Sequence, residues 1–134
     1  MTDGCHCGAV SVTLAMKPEY VNLCDCSLCA RSGGAWGYYA SADVKISGET
    51  KAYRRKDYPE PAVEMHFCPT CGTTTHWVTT EHLELDRVGV NMRIFDPAEL
   101  TGIEARTIYG RNWFGKAAPD HRRNAGKLGV DVFL

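Results

Sequence analysis

Seven cysteines in three short clusters constrain the fold of this chain more than any other feature. The clusters are Cys5 and Cys7; Cys24, Cys26 and Cys29; and Cys68 and Cys71. A structural zinc site takes four protein ligands, whereas a catalytic zinc site usually takes three and leaves one position open. The two pairs supply four thiolates and the triplet supplies three, so the count favours one site of each kind without proving the pairing.

The two cysteine pairs each need a partner cluster to close a metal site. The run Cys68-Pro69-Thr70-Cys71-Gly72 is typical of a zinc knuckle, in which the glycine can adopt a positive φ after the turn. The run Cys5-His6-Cys7-Gly8 contains the other pair. We therefore expect one structural zinc site that joins distant parts of the chain, with the ligands Cys5, Cys7, Cys68 and Cys71.

The cysteine triplet is close enough in sequence to converge on a second zinc ion. Local sequence offers no obvious fourth thiolate beside Cys24, Cys26 and Cys29, so we expect water or substrate to complete the shell. Three thiolates donate much charge to the ion and weaken its power to acidify water, which disfavours hydrolysis. Such a site suits the binding of a sulfur or a carbonyl oxygen. We expect two Zn²⁺ ions per chain.

Other uses of cysteine fit the sequence less well. A secreted disulfide framework normally has an even number of cysteines, and no apolar leader precedes Asp3. Iron–sulfur proteins usually carry CxxCxxC runs, whereas the triplet reads CxCxxC. A redox CxxC motif would have a thioredoxin-like βαβ context, which the residues around Cys68 and Cys71 do not show.

Composition predicts one small globular domain over residues 1–134. The chain has 134 residues, of which 44% are hydrophobic, enough for a single core. No apolar run is long enough to span a membrane. The formal net charge of −1 argues against nucleic acid and favours a small-molecule partner. Abundant thiols indicate a cytoplasmic location. From about residue 116 the chain is polar and irregular, and we expect parts of it to be loosely ordered.

Short strands separated by turns predict an all-β protein. Val10, Val12 and Leu14 alternate with polar residues, which is typical of a half-buried strand. A short helix is expected near Asp96-Pro97, where aspartate can cap and proline can occupy the first turn. The cysteine triplet is expected on a turn between two strands. The predicted strands cover residues 9–14, 20–23, 35–40, 44–46, 51–54, 63–67, 73–78 and 87–91.

These motifs resemble the glutathione-dependent formaldehyde-activating enzyme family. The resemblance rests on Cys5-His6-Cys7-Gly8, Cys24-Asp25-Cys26-Ser27-Leu28-Cys29, Phe67-Cys68-Pro69-Thr70-Cys71-Gly72-Thr73 and the segment from Gly89 to Asp96, in that order. It implies an Mss4-like β fold with a structural zinc on the first and third cysteine clusters and a catalytic zinc on the middle cluster. It also implies a carbon–sulfur lyase that combines glutathione and formaldehyde into S-(hydroxymethyl)glutathione, or a reaction on a similar thiol–aldehyde adduct.

The sequence offers weaker candidates for substrate binding. Arg31, just beyond Cys29, could bind a substrate carboxylate or lie solvated on the surface. Trp36 and Tyr38 could wall a pocket or fill the core. Asp25 and Ser27 could orient the ligands or occupy an exposed turn. The basic run Lys51, Arg54, Arg55 and Lys56 could receive the carboxylates of a glutathione-like molecule or protect an edge strand.

A second class of function fits the same residues. The Mss4-like architecture also serves binding proteins, so both metal sites could be structural in a non-catalytic module that binds a protein partner. The number of bound metal ions and the response of their coordination to an added thiol distinguish an enzyme from a binding module.

Overall fold

The computed structural model describes residues 1–112 and 123–134 of the chain, apart from the side chains of residues 112 and 123. Within these residues, eleven strands form a three-stranded sheet of order β1-β2-β5 and an eight-stranded sheet of order β11-β10-β3-β4-β9-β8-β7-β6. The strands are β1 (Thr2–Gly4), β2 (Ser11–Leu14), β3 (Tyr20–Cys24), β4 (Trp36–Tyr39), β5 (Val44–Ser47), β6 (Lys51–Arg54), β7 (Val63–Phe67), β8 (Thr74–Thr79), β9 (Val88–Asn91), β10 (Glu104–Ile108) and β11 (Arg123–Lys127). Helices are few and short: α1 (Ser27–Ser32) and α2 (Pro97–Leu100). The all-β class predicted from the sequence is confirmed.

The predicted strands all form, with ends that agree to within two residues. Val10, Val12 and Leu14 are buried, as the alternation predicts. The short helix also forms where expected: Asp96 Oδ1 accepts a hydrogen bond from Ala98 N at 2.9 Å, and Pro97 occupies the first turn.

The sequence did not predict β1, α1, β10 or β11. Strand β10 pairs in parallel with β3, from Glu104 opposite Tyr20 to Ile108 opposite Cys24, while the other strand pairs of the described chain are antiparallel. The irregular stretch predicted from about residue 116 lies outside the described residues up to residue 122. Beyond it, Arg123–Lys127 is ordered as β11, because it pairs with β10.

The two faces of the eight-stranded sheet have different partners. One face carries Val21, Val90 and Ala105, which pack with Val12 and Leu14 of the small sheet in the main core. Because neighbouring side chains on a strand point to opposite faces, the other face receives the residues in between. We call this second side the site face; it carries Asn22 and Cys24 of β3, Trp36 and Tyr38 of β4, and Trp77 of β8.

Candidate functional site

Four cysteines from two distant turns meet at one point. One pair follows β1, and the other pair lies between β7 and β8. Their Sγ atoms all lie within 4.8 Å of one another, as expected for Cys5, Cys7, Cys68 and Cys71. The separations Cys5–Cys7 and Cys7–Cys68 are 3.6 and 3.7 Å. A tetrahedron with Zn–S bonds of about 2.3 Å has sulfurs about 3.8 Å apart, so this cluster fits a tetrahedral zinc.

Local hydrogen bonds shape both turns for this purpose. Gly8 N donates to Cys5 O and Gly72 N donates to Cys68 O, each at 2.9 Å. Both glycines have positive φ, 79° and 74°, which agrees with the prediction for Gly72. Val10 N donates to Cys5 Sγ at 3.2 Å, a contact that favours the thiolate. Backbone hydrogen bonds within each turn therefore hold the cysteine sulfurs in position.

The three remaining cysteines form a second cluster at the end of β3. The Sγ atoms of Cys24, Cys26 and Cys29 lie within 4.8 Å of one another. No further Cys, His, Asp or Glu of the described residues belongs to this group. The sequence placed them on a turn, which is wrong for Cys29. Cys26 caps α1, its Sγ accepting from Cys29 N at 3.3 Å, and Gly33 ends the helix with φ 66°.

Three neighbouring thiolates would repel one another, because each carries a negative charge. Hydrogen bonds from the thiols of Cys24 and then Cys29 lower the pKa of Cys26 well below its usual value. The pKa of Cys24 is raised, first by its hydrogen bond with Cys26, and the pKa of Cys29 is raised, first by its hydrogen bond with Cys24. One thiolate is thus stabilised by its neighbours, whereas three together require a cation. This donor set fits a zinc ion whose fourth position is left to water or substrate.

Aromatic side chains border the three-cysteine cluster on the site face. Trp36 is 1% exposed, and its Nε1 donates to Cys29 Sγ at 3.3 Å. Trp77 packs edge-on against Trp36, and the centres of these two rings are 6.3 Å apart. The ring centres of Tyr38 and Trp77 are 5.8 Å apart. Trp36 and Tyr38 therefore border the candidate site as well as filling space beside it.

Two guanidinium groups converge on Ser27 at the start of α1. Arg31 is exposed, and its Nη1 donates to Ser27 O at 3.0 Å. Arg55 Nη2 donates to Ser27 Oγ at 2.9 Å. The side chain of Arg55 is only 9% exposed and forms two bonds to Asp57, at 2.7 and 2.6 Å. The helix that carries Cys29 thus begins at a positively charged edge.

The basic run around Arg55 is divided by the structure. Arg54 lies on the edge strand β6 and pairs with Glu64 at 2.6 Å and with Glu81 at 2.7 Å. Arg54 therefore fits the edge-strand interpretation, whereas Arg55 turns towards α1. Asp25 anchors the cysteine loop, because its Oδ1 accepts from Arg111 N at 3.2 Å.

Sequence reasoning missed two residues that the fold brings to the cluster, Asn22 and Gly110. Gly110 follows β10, and a Cβ there would overlap Cys24 Sγ. Only Asn22 had a signal in the sequence. It precedes Cys24 by two residues in a predicted strand, and residues two apart share a face.

The fold and the two clusters define a class: a small β protein with one four-cysteine and one three-cysteine cluster, each able to hold a metal ion. A family model described as glutathione-dependent formaldehyde-activating enzyme matches residues 1–110. The chain belongs to this family, and the Mss4-like fold class predicted from its motifs is confirmed.

Known proteins that are similar to this chain include a curated relative and a solved structure. A Halomonas elongata protein named for the same family is 31% identical over 87 aligned positions, which cover 58% of this chain and 55% of that protein. This chain thus spans about half the length of that relative. A crystal structure of a Rhodobacter sphaeroides protein matches with a TM-score of 0.60 at 27% identity, over 75% of this chain and 94% of that one.

The described α-helices have six and four residues, and neither is long enough to cross a bilayer.

Proposed function

We propose that this chain is a zinc-dependent carbon–sulfur lyase that forms or cleaves the adduct of an aldehyde with glutathione or a similar thiol. The observation that carries the proposal is the difference between the two cysteine clusters. Four sulfurs close one site, while three sulfurs beside an aromatic wall form the other. The family description and the name of the Halomonas relative support the same substrates.

The two clusters would hold zinc for different purposes. Cys5, Cys7, Cys68 and Cys71 would bind the structural ion that ties β1 and β2 to β7 and β8. Cys24, Cys26 and Cys29 would bind the catalytic ion, which supplies a Lewis acid able to hold a sulfur or carbonyl oxygen. The protein's own contribution is to bring the thiol and the aldehyde together in one geometry, which favours C–S bond formation.

Arg31 is the proposed contact for a substrate carboxylate. Its guanidinium is exposed one turn from Ser27, and among the described residues no carboxylate lies within ion-pair distance of it. Arg55 is already paired with Asp57, so its charge is largely balanced and its guanidinium is not offered to the ligand.

The test is catalysed exchange between free thiol and adduct. Glutathione and formaldehyde combine without a catalyst, so the rate is measured by two-dimensional exchange NMR with and without zinc-loaded protein. We expect the protein to accelerate exchange, Cys26→Ser to return it to the uncatalysed rate, and Ser32→Ala on the same helix to retain it. Metal content is measured in parallel, and Cys26→Ser should retain one of two zinc ions.

Two outcomes would contradict the proposal. The first is that the wild-type protein, with both ions bound, leaves exchange at the uncatalysed rate and that neither ion changes its coordination when thiol is added. This outcome would favour a binding module. The second is that Cys26→Ser loses the ion of the three-cysteine cluster but still accelerates exchange as wild type does. This outcome would show that the cluster is not the reactive site.

A further inference from the structure

Asn22 and Tyr38 form a hydrogen-bonded pair on the site face, and this pair can form further hydrogen bonds. Asn22 is 3% exposed, and its Nδ2 donates to the Tyr38 hydroxyl oxygen at 2.5 Å. The Oδ1 atom of Asn22 is buried and has no hydrogen-bond partner among the described residues. A buried acceptor without a partner is costly, so the pair as it stands is incomplete.

The pair lies beside the three-cysteine cluster. Asn22 precedes Cys24 by two residues on β3 and shares its face of the sheet. Trp36, which donates to Cys29 Sγ, lies opposite Asn22 in the pairing of β3 with β4. Tyr38 packs in the same apolar cluster as Cys24 and Cys29. The unused polar atoms therefore border the site where the thiol and the aldehyde would meet.

The chemistry of the missing partner follows from the donors and acceptors present. Because the Tyr38 oxygen accepts from Asn22, the Tyr38 hydrogen remains available for donation. Asn22 Oδ1 can only accept. A hydroxyl group complements both, since it accepts from Tyr38 and donates to Asn22. A carbonyl oxygen complements Tyr38 alone, and a thioether complements neither well.

We propose that Tyr38 and Asn22 are catalytic residues: Tyr38 donates a hydrogen bond to the aldehyde-derived oxygen, while Asn22 orients the Tyr38 hydroxyl and contacts the same oxygen. This inference rests on the proposed function. In adduct formation the C–S bond forms, the carbonyl π pair moves onto oxygen, and that oxygen takes up the proton lost by the thiol. Tyr38 stabilises the negative charge that develops on oxygen, and Asn22 Oδ1 accepts from the resulting hydroxyl. Cleavage reverses each change.

The neighbouring Tyr39 provides a matched control. Its hydroxyl is also buried without a hydrogen-bond partner in the described part of the chain, but it lies in the main core on the opposite face. Removing either hydroxyl deletes the same atom from adjacent positions of β4. A loss of activity confined to Tyr38→Phe therefore reports on the site and not on the packing of the strand.

The first experiment measures catalysed exchange by zinc-loaded variants of the full chain. We expect Tyr38→Phe to lower kcat about 100-fold, the effect of losing one donor to a developing oxyanion, with KM for glutathione unchanged. Tyr39→Phe should match wild type. Asn22→Leu should also lower kcat, and Asn22→Leu combined with Tyr38→Phe should lose less than the product of the two separate losses, because Asn22 acts partly through Tyr38.

A second experiment observes Tyr38 without catalysis. In protein labelled at Cζ of tyrosine with ¹³C, the resonance missing from Tyr38→Phe belongs to Tyr38. We expect it to shift when glutathione and formaldehyde are added together, and to shift less with S-methylglutathione, which has no hydroxyl. The shift with the adduct should be lost in Asn22→Leu.

The outcomes separate the two proposals. If wild type accelerates exchange and Tyr38→Phe stays within twofold of it, the role of Tyr38 is wrong while the proposed function stands. Equal shifts with both ligands would likewise overturn the oxygen contact. If wild type does not accelerate exchange, the proposed function fails, and the Tyr38 resonance alone decides whether the pair binds the hydroxyl.

Discussion

At the scale of single residues, the thiolates are supported by N–H donors. Val10 N donates to Cys5 Sγ at 3.2 Å, Cys29 N donates to Cys26 Sγ at 3.3 Å, and Trp36 Nε1 donates to Cys29 Sγ at 3.3 Å. Two donors are backbone N–H groups, which side-chain substitutions other than proline leave in place. The third belongs to a side chain, so the contribution of such a contact can be measured at Trp36.

We predict that Trp36→Phe weakens zinc binding at the three-cysteine cluster about 10-fold, because groups that hydrogen-bond to metal ligands change affinity by roughly 10- to 100-fold. Trp77→Phe is the control: it removes a ring of the same size from the same aromatic cluster, where Trp77 is 9% exposed. Competition with a chromophoric chelator measures both sites. Equal affinity losses in the two variants would assign the effect to packing.

At the scale of elements, the sequence predicts those whose pattern is local. Strand β2 is recognisable because Val12 and Leu14 alternate with polar neighbours, and α2 because Asp96 and Pro97 mark its start. Helix α1 lacks an apolar stripe and starts with a cysteine cap, whereas helix caps are usually Ser, Thr, Asp or Asn. Strand β10 depends on pairing with β3 and β11, which no local pattern reveals.

The same distinction applies to the candidate site. The two cysteine clusters were predictable, because the number and spacing of the cysteines can be read from the sequence. The positions of Arg55 and Gly110 were not, since each depends on contacts between segments that are distant in sequence. Gly110 follows β10, whose parallel pairing places Ile108 opposite Cys24 and lets Asp25 N donate to Ile108 O at 3.3 Å.

We predict that Gly110→Ala removes the metal of the three-cysteine cluster and leaves the other centre intact. A Cβ at Gly110 would overlap Cys24 Sγ and lie 3.0 Å from Cys26 Cβ, so the cluster must open. The zinc content should fall from two ions to one per chain, and exchange activity should be lost. Retention of two ions would show that the end of β10 moves away at little cost.

At the scale of the whole molecule, fold and chemistry lie on different sides of the large sheet. The main core packs between the two sheets, whereas the three-cysteine cluster lies on the site face. The four-cysteine cluster joins the small sheet to the large one, and Cys7 and Cys68 are 61 residues apart in sequence. Its metal would therefore stabilise the arrangement of the sheets, while the other metal would stabilise only a loop and α1.

This division predicts unequal effects of matched substitutions on stability. Apparent zinc-binding free energies at structural sites are about 10–16 kcal/mol, comparable to the roughly 5–15 kcal/mol that stabilises an entire domain. We expect Cys71→Ser to lose at least about 5 kcal/mol of this stabilisation, and so to lower the melting temperature by about 20 °C or more or to prevent folding, since about 1 kcal/mol corresponds to roughly 4 °C at this size.

Cys24→Ser provides the comparison, because it removes one sulfur from the other cluster while both sheets keep their metal link. Its melting temperature should fall by only about 4 °C. Thermal unfolding followed by circular dichroism, with zinc content measured on the same samples, tests the difference. A larger fall for Cys24→Ser than for Cys71→Ser would reverse the assignment, because the ion that ties the sheets together must be the one on which folding depends.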